Sequence, residues 1–407
     1  MKRKKFHHLQ LAATTILSVA LFSCGCEQAG TVLDDVKSKV AGESEQPSVA
    51  ETDSALPAPP APTPKPAAPA PPSPEELVTT FLKLKSHEIS DGSLATVTSL
   101  SEAAAKITTL EIQTNDGFSG NGIKHLTKMN NLSTLTLRTP RLSPEDLSAL
   151  AGVSSLKQLS LNGTTSNDEV VGQLTSLSNL ESLQLSGTRI TPVSAASLGQ
   201  MARLSSIDLS GTAADDAVVS AMASLPIREI NLSKTRITNA SLAVLSKMPA
   251  LEALNVSFTG VTGDGFKGFG RTKIKTLSVG ETRFELEGFR SIRGMSALED
   301  LNIYNAGLVE HKSANVFRTF RNLRVLNAGK NSVTNAGMDV FFKGHKSLEE
   351  LRLSHNKRIS DQGLAALVGV KTLKLLVVDN TGCGAQGARA LKEKLPDCKI
   401  QTSHGTF

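Results

Sequence analysis

Apolar residues recur along this chain at a nearly constant spacing, and this repeat constrains the fold more than any other feature. Twelve units begin at Ile107, Leu132, Leu156, Leu180, Leu204, Ile227, Leu251, Ile274, Leu298, Leu323, Leu348 and Leu373, and a partial unit begins at Cys398. The intervals are 23 to 25 residues. Apolar residues fill the first, fourth and sixth positions, as in a short strand with one buried face. Repeats of this length predict a solenoid in which each unit packs against its neighbours.

A small polar residue marks the ninth position of most units. It is Thr or Asn in ten of the twelve units: Asn115, Thr164, Thr188, Thr212, Thr235, Thr259, Thr282, Asn331, Asn356 and Thr381. Such a side chain can bond backbone groups of the neighbouring units, so we expect a stacked ladder. Helix-starting signals follow in several units, for example at Ser143 and Pro144.

This pattern resembles the leucine-rich repeat, in the type with a Gly-Thr turn and a helix in each unit. That type occurs in bacterial surface proteins and F-box-type adaptors; no F-box signature is visible here. The resemblance implies an α/β solenoid of about 12 repeats of 23–25 residues, with a curved parallel sheet inside and helices outside. We expect the repeats over residues 107–397, an N-terminal cap over 75–106, and a cap strand and tail over 398–407. Within the first cap we predict a helix from Glu75 to Lys85 and an irregular stretch from Ile89 to Lys106.

The N-terminus predicts export. Positive residues between Met1 and Lys5 precede a mostly apolar stretch from Leu9 to Phe22, which is too short for an ordinary membrane span. Leu21-Phe22-Ser23-Cys24 resembles the lipobox of bacterial lipoproteins, which implies a signal peptide over 1–23 and a lipid on Cys24. We therefore predict a protein of the bacterial cell envelope, anchored to a membrane by this lipid. A plain cleaved signal and a secreted product are the alternative.

Residues 24–74 predict a disordered tether rich in Pro and Ala. Eleven of the 17 prolines fall between Pro47 and Pro74, and no apolar periodicity is sustained there. Such a stretch cannot form a core and favours extended polyproline II backbone.

The net charge of +6 suggests an anionic partner, but its distribution restricts that suggestion to one part of the chain. Residues 24–76 hold 3 basic and 9 acidic residues, and residues 77–270 are nearly neutral. Residues 271–407 hold 22 basic and 13 acidic residues. Aromatic residues make up only 4% of the chain, with no Trp, so we expect no binding of nucleic acid.

Motifs for catalysis or cofactor binding are not found in the sequence. No HExxH, GxSxG or zinc-type cysteine spacing occurs, so we predict no enzyme, no cofactor and no metal site. Cys383 falls at the apolar eleventh position of its unit and Cys398 at a first position. We predict two buried thiols, with a disulfide between them as the alternative.

The binding surface is expected on the concave face, onto which the second, third, fifth, seventh and eighth positions project. Ser and Asn dominate its middle, and the character changes toward the C-terminal end. The candidate site there consists of Asn302, Tyr304, Asn305, Asn327, Lys330, Arg352 and His355. Tyr and Arg are frequent anchors of protein interfaces, although plain solvated residues would give the same pattern.

Two functions are consistent with these features. The first is an exported, membrane-anchored, monomeric module that binds a protein or glycan partner on its concave face without catalysis. The second is a structural envelope component that bridges the membrane and the wall or an anionic polymer. Fold alone does not decide between them.

Overall fold

The computed structural model describes residues 72–308, 316–317 and 319–407. The predicted signal peptide, the lipidated Cys24 and nearly all of the predicted tether lie outside these residues. In the part of the chain that is described, no helix is long and apolar enough to cross a membrane.

The described residues form one 14-stranded sheet whose strand order follows the chain. The strands are β1 Thr109–Gln113, β2 Thr134–Arg138, β3 Gln158–Ser160, β4 Ser182–Gln184, β5 Ser206–Asp208, β6 Glu229–Asn231, β7 Ala253–Asn255, β8 Thr276–Ser278, β9 Asp300–Asn302, β10 Val325–Asn327, β11 Glu350–Arg352, β12 Leu375–Val377, β13 Lys399–Thr402 and β14 Gly405–Thr406. Strands β1 to β13 are parallel, and from β1 to β12 equal repeat positions lie opposite one another. The predicted α/β solenoid is confirmed.

Helical segments connect the strands. The α-helices are α1 Pro74–Leu82, α2 Asp91–Val97, α3 Ser101–Ala105, α4 Gly120–Leu126, α5 Pro144–Ser148, α6 Asp168–Leu174, α7 Ala195–Gly199, α8 Asp216–Ala221, α9 Asn239–Leu245, α10 Glu285–Ile292, α11 Asn335–Phe342, α12 Asp361–Leu364 and α13 Ala385–Lys394. Short 3-10 turns cover Ala149–Gly152, Pro192–Ser194, Gly263–Phe266, Phe269–Arg271 and Ala365–Leu367.

We expect a helix in every repeat, and the unit that begins at Leu251 is an exception. Its connection holds two 3-10 turns instead of an α-helix. Four glycines in this connection, Gly263, Gly265, Gly268 and Gly270, disfavour a helix. Gly263 is also required by packing, since a Cβ atom there would lie 2.1 Å from the carbonyl oxygen of Phe284.

The core lies between the sheet and the helical segments. Fourth- and sixth-position residues such as Leu183 and Leu185 are fully buried, which explains the strand alternation read from the sequence. In the C-terminal half, phenylalanines extend this core: the ring centroids of Phe266 and Phe284 are 4.9 Å apart, and those of Phe284 and Phe289 are 5.0 Å apart. Such edge-to-face pairs add roughly 1 kcal/mol each beyond area burial.

The threonines at position nine do not form the predicted ladder between units. The Thr164 hydroxyl donates to the Leu161 carbonyl oxygen at 2.7 Å, and the Thr212 hydroxyl donates to that of Leu209 at 2.6 Å. Each threonine thus closes the turn of its own unit. The hydroxyl's one proton is used within that unit, so the ladder prediction is wrong for threonine.

Asparagine at position nine bridges units as predicted. The Asn356 side-chain oxygen accepts from the N–H groups of Asn331 (3.0 Å) and Val333 (2.9 Å) in the preceding unit. Its amide nitrogen donates to the carbonyl oxygens of Ala328 (3.0 Å) and Leu353 (2.8 Å). A longer side chain with two donors and an acceptor can satisfy backbone groups of both units, and a threonine cannot.

The N-terminal end is more helical than predicted. The first helix begins at Pro74, where Ser73 and Glu76 form a capping box, and it ends at Leu82, before the predicted end at Lys85. The stretch predicted as irregular contains α2 and α3. Ser90 caps α2 because its hydroxyl oxygen accepts the Ser93 N–H. Such a capping serine is a local signal for a helix that is independent of apolar periodicity.

The C-terminal strand differs from the prediction by one residue. Lys399 lies opposite Leu375, a third position, which places Cys398 at a second position instead of the predicted first. Strand β14 then pairs antiparallel with β13 and covers the last sheet edge, which the sequence did not reveal. Cys383 and Cys398 are both buried free thiols in the structure, so it contains no disulfide between them.

Candidate functional site

The predicted concave face corresponds to the sheet face that points away from the core. We call it the open face; it is formed by the third, fifth, seventh and eighth positions of the units. The second position, expected on this face as well, precedes the first residue of each unit's strand and is not counted in it. The seven predicted site residues all lie on it, on β9, β10, β11 and the residues directly after them. Most are half-buried, and Lys330 and His355 are exposed. The structure thus brings the predicted residues together on neighbouring units.

Tyr304 lies against the open face instead of projecting from it. Its ring covers Gly329 of the next unit, where an added Cβ atom would be 2.8 Å from Tyr304 Cδ2. The ring centroid is 6.4 Å from that of His355, two units on, in an edge-to-face arrangement. The preceding unit has Gly280 at the same position, so glycines flank the tyrosine on both sides. The two rings form a preorganised aromatic surface.

The asparagines at position five have a backbone role. Asn302 Oδ1 accepts the Tyr304 N–H at 3.1 Å, and Asn327 Oδ1 accepts the Gly329 N–H at 3.2 Å. Asn255, outside the predicted site, accepts the N–H of the seventh position of its own unit at 3.0 Å in the same way. Turn geometry therefore accounts for the recurrence of Asn at this position, in the predicted site as well as outside it.

Position eight is left-handed in every unit from the third to the twelfth. The residues are Gly163, Gly187, Gly211, Lys234, Phe258, Glu281, Asn305, Lys330, His355 and Asn380, with φ between 49° and 69°. All but the last donate their N–H to the seventh-position carbonyl of the next unit, at 2.8–3.0 Å. Glycine adopts this conformation freely, whereas most other residues pay about 1 kcal/mol or more. Seven of these ten units thus carry a side chain at this position despite the backbone cost.

We call the seven non-glycine members, Lys234, Phe258, Glu281, Asn305, Lys330, His355 and Asn380, the left-handed column. Five of the seven side chains contact another member of the column. Lys234 Nζ lies 5.4 Å from the ring centroid of Phe258, which is 48% exposed. Glu281 accepts a hydrogen bond from the Asn305 amide at 2.5 Å and pairs with Lys330 Nζ at 3.5 Å.

Four members of the left-handed column were not among the predicted site residues: Lys234, Phe258, Glu281 and Asn380. The signal that could have found them is the glycine at position eight in the three units before Lys234. A position that takes glycine in several units indicates positive φ, and a change to larger residues then becomes informative.

Arg352 and Lys330, the two basic residues of the predicted site, both form ion pairs with carboxylates of the protein itself. Arg352 Nη2 pairs with Glu350 Oε1 at 2.5 Å, and Arg352 Nε donates to the same oxygen. Two strands away, Asp300 lies opposite Val325, which in turn lies opposite Glu350. The pKa of Asp300 is raised to about 6, mainly by burial and also by the charge of Glu350, while the charge of Arg352 acts in the opposite direction.

The positive charge of the C-terminal half lies mostly off the open face. Part of it belongs to a row of charges at position two, where Glu349 binds Arg324 (2.8 Å) and Lys374 (2.7 Å). Hydrogen bonds from these two residues lower the pKa of Glu349 to about 2. On the open face from β8 to the end of the unit of β12, four carboxylates face two basic side chains. The carboxylates are Glu281, Asp300, Glu350 and Asp379, and the basic residues are Lys330 and Arg352.

Groups for metal binding or nucleophilic chemistry are scarce. Within residues 72–308, 316–317 and 319–407, no three His, Cys, Asp or Glu residues are grouped so that they could hold a metal ion. Burial raises the pKa of Cys383 and that of Cys398, the latter to about 11. Both thiols are therefore protonated at neutral pH and are poor nucleophiles.

Comparisons with known proteins support the fold. The family model for the leucine-rich repeat matches residues 344–368. No curated protein matches the sequence. The chain is similar to one in the yeast Rad7–Elc1 complex, with a TM-score of 0.50 and 15% identity over 80% of this chain and 92% of that one. It is also similar to an internalin of Listeria monocytogenes, with a TM-score of 0.49 and 14% identity over 81% and 93% of the two chains. Together with the repeat and the sheet, the family match and the yeast structure identify the fold as a leucine-rich-repeat solenoid.

Proposed function

We propose that this protein is an exported, non-catalytic interaction module that binds a protein partner on the open face around Tyr304. The observation that carries the proposal is the aromatic surface of Tyr304 and His355, held over Gly329 and bordered by the left-handed column. A rigid aromatic residue loses little conformational entropy on binding and is a frequent hot spot. A glycan is the other partner class that such an aromatic surface suits, and we expect the chain to act as a monomer.

Replacing Tyr304 with alanine is expected to weaken partner binding about tenfold, because Tyr304 has the largest aromatic ring among the seven predicted site residues. The partner would first be isolated from an envelope extract with the full chain, and its affinity would then be measured by calorimetry. Val193→Ala is the matched control, since Val193 is 78% exposed in the turn Pro192–Ser194 on the helical side. Equal affinities of the two variants would place the site elsewhere.

The proposal includes anchoring through a lipid on Cys24, on the strength of the lipobox-like Leu21-Phe22-Ser23-Cys24. Changing Cys24 to Ser is expected to move the protein from the membrane fraction to the soluble fraction, because the acyl chains supply the membrane affinity. Fractionation followed by immunoblotting measures this. Unchanged membrane association of the variant would refute the lipid anchor.

The alternative, a structural envelope component, is favoured by one observation. Basic side chains are exposed on the last two units and the C-terminal cap, at Lys371, Lys374, Arg389, Lys394 and Lys399. In that case the Cys24→Ser variant would remain with the wall or polymer fraction and leave it when the salt concentration is raised, since exposed charges are screened.

A further inference from the structure

The basic side chains on the C-terminal part of the open face already have partners within the protein. Lys330 is paired with Glu281 and Arg352 with Glu350, as described above. In the preceding units, Lys234 lies over the ring of Phe258. These cations are therefore poorly placed to attract an anionic partner, because each would first have to leave its present contact.

Two carboxylates on the same part of the open face, in contrast, have no ion-pair partner within the described part of the protein. Asp300, at the third position of its unit, and Asp379, at a seventh position, form no ion pair with any residue that the structure describes. Both residues are half-buried, so each has lost part of its hydration without gaining a directly bonded counter-ion; Arg352 acts on Asp300 only through its charge. A cation supplied from outside the chain would compensate both.

We propose that the open face between β9 and β12 recognises a protein segment that carries Lys or Arg side chains. Asp300 and Asp379 receive the cationic groups. The Tyr304 ring, which belongs to the same unit as Asp300 and covers Gly329 of the next unit, offers a surface to a cation or to the aliphatic part of a side chain. Tyr304 and Asp379 are three units apart at the same repeat position, or about 15 Å at the usual strand spacing. An extended peptide of about five residues spans that distance. This inference rests on the proposed function and specifies the partner's charge.

The basic partner proposed for the open face differs in charge from the anionic partner that the overall composition suggests. The excess of 22 basic over 13 acidic residues in 271–407 favours an anionic partner when it is taken as a whole. On the open face the balance reverses, because its carboxylates outnumber its basic residues. A partner on the open face is thus expected to be basic, and an anionic surface would have to contact the protein elsewhere.

The experiment measures the binding of fluorescein-labelled octalysine and octaglutamate to the full chain by fluorescence anisotropy at physiological salt. The double variant Asp300→Asn and Asp379→Asn is expected to bind octalysine about fivefold more weakly. The control double variant, Glu145→Gln and Glu393→Gln, removes the same charge from exposed positions on α5 and α13. Octalysine bound by the acidic residues of 24–76 contributes equally to both double variants, because neither changes that segment. The control variant is expected to bind octalysine with the affinity of the wild type.

A second double variant tests the sign of the effect. Lys330→Gln with Arg352→Gln releases Glu281 and Glu350, so octalysine is expected to bind severalfold more tightly, a gain that misfolding would not produce. Equal losses in the test and control variants, or tighter binding of octaglutamate than of octalysine, would overturn the inference. Failure of the proposed function is seen separately, as an unchanged affinity of the isolated partner for the Tyr304→Ala variant.

Discussion

Replacing Asn356 with alanine is expected to lower the free energy of unfolding by about 4 kcal/mol. The Asn356 side chain is fully buried and bonds four backbone groups, two of them N–H groups of the preceding unit. Alanine leaves all four without a partner where water has no easy access, and each buried unsatisfied group costs roughly 1–3 kcal/mol before relaxation. The loss should be felt at the junction between two units.

The matched control is Thr212→Val, which keeps the volume of the side chain and removes two hydrogen bonds within a single unit, the one to the Leu209 carbonyl oxygen (2.6 Å) and a longer one from the Ala214 N–H (3.3 Å). It is expected to cost about 1 kcal/mol. Urea titrations followed by far-UV circular dichroism measure both variants. The whole curve should be compared, because a repeat array need not unfold in one step. Equal costs for Asn356→Ala and Thr212→Val would show that the bridge between units contributes little.

Replacing Asp300 with asparagine is expected to raise the free energy of unfolding at pH 7.5 by about 2 kcal/mol. The pKa of Asp300 is raised from its ordinary 3.8 to about 6 in the folded protein, so the folded state binds this proton more strongly than the unfolded chain does. Between pH 4 and pH 6 the stability contributed by this group therefore falls as the pH rises, and above pH 6 the full penalty is present. Asparagine removes the charge and with it the penalty.

The measurement is a series of urea titrations between pH 4 and pH 8 on the wild type and the variant. Their difference should be largest above pH 6 and should vanish near pH 4. The comparison must be made as a difference, because Glu349 acts in the opposite direction. Its pKa is lowered to about 2, so it contributes stability above its ordinary 4.5 that is lost as the pH falls toward 2. A pH-independent effect of Asp300→Asn would contradict the raised pKa.

These effects connect stability and binding. A variant that gains stability while it loses affinity for a basic peptide would mark Asp300 as a residue kept on the open face for binding, at a cost in stability. The left-handed backbone conformation of Phe258 and Lys330 likewise lowers the stability of the folded protein while it places a side chain on the open face.

The sequence was sufficient for the parts of the fold that depend on period. Leu183 and Leu185 lie in the core because one strand face is buried, and spacing alone predicts this. It was insufficient wherever the outcome depends on which neighbour a side chain reaches. From the sequence, Arg352 counts as a cation available to a partner, but in the structure it is paired with Glu350. The two residues lie on the same face of the sheet because their positions in the strand differ by two.

Two further differences have the same origin. Threonine and asparagine at position nine look equivalent in a list of polar residues, yet Thr212 closes its own turn and Asn356 joins two units. The apolar pattern predicts Cys398 at a first position. The backbone pairing of Lys399 with Leu375 places it at a second position instead. Side-chain reach, and the register of the last strand where the repeat ends, are properties of the folded chain that periodicity does not encode.

The strand order of the sheet has a mechanical consequence. Because each strand pairs with its immediate neighbours in the chain, a pulling force applied at the two ends would pass through the junctions between units in series. The weakest junction would open first, and each detached unit of about 24 residues would release roughly 80 Å of chain. Under tension the protein would lengthen in steps, as an extensible link, while the junctions bridged by Asn331 and Asn356 would hold the open face around Tyr304 together for longest.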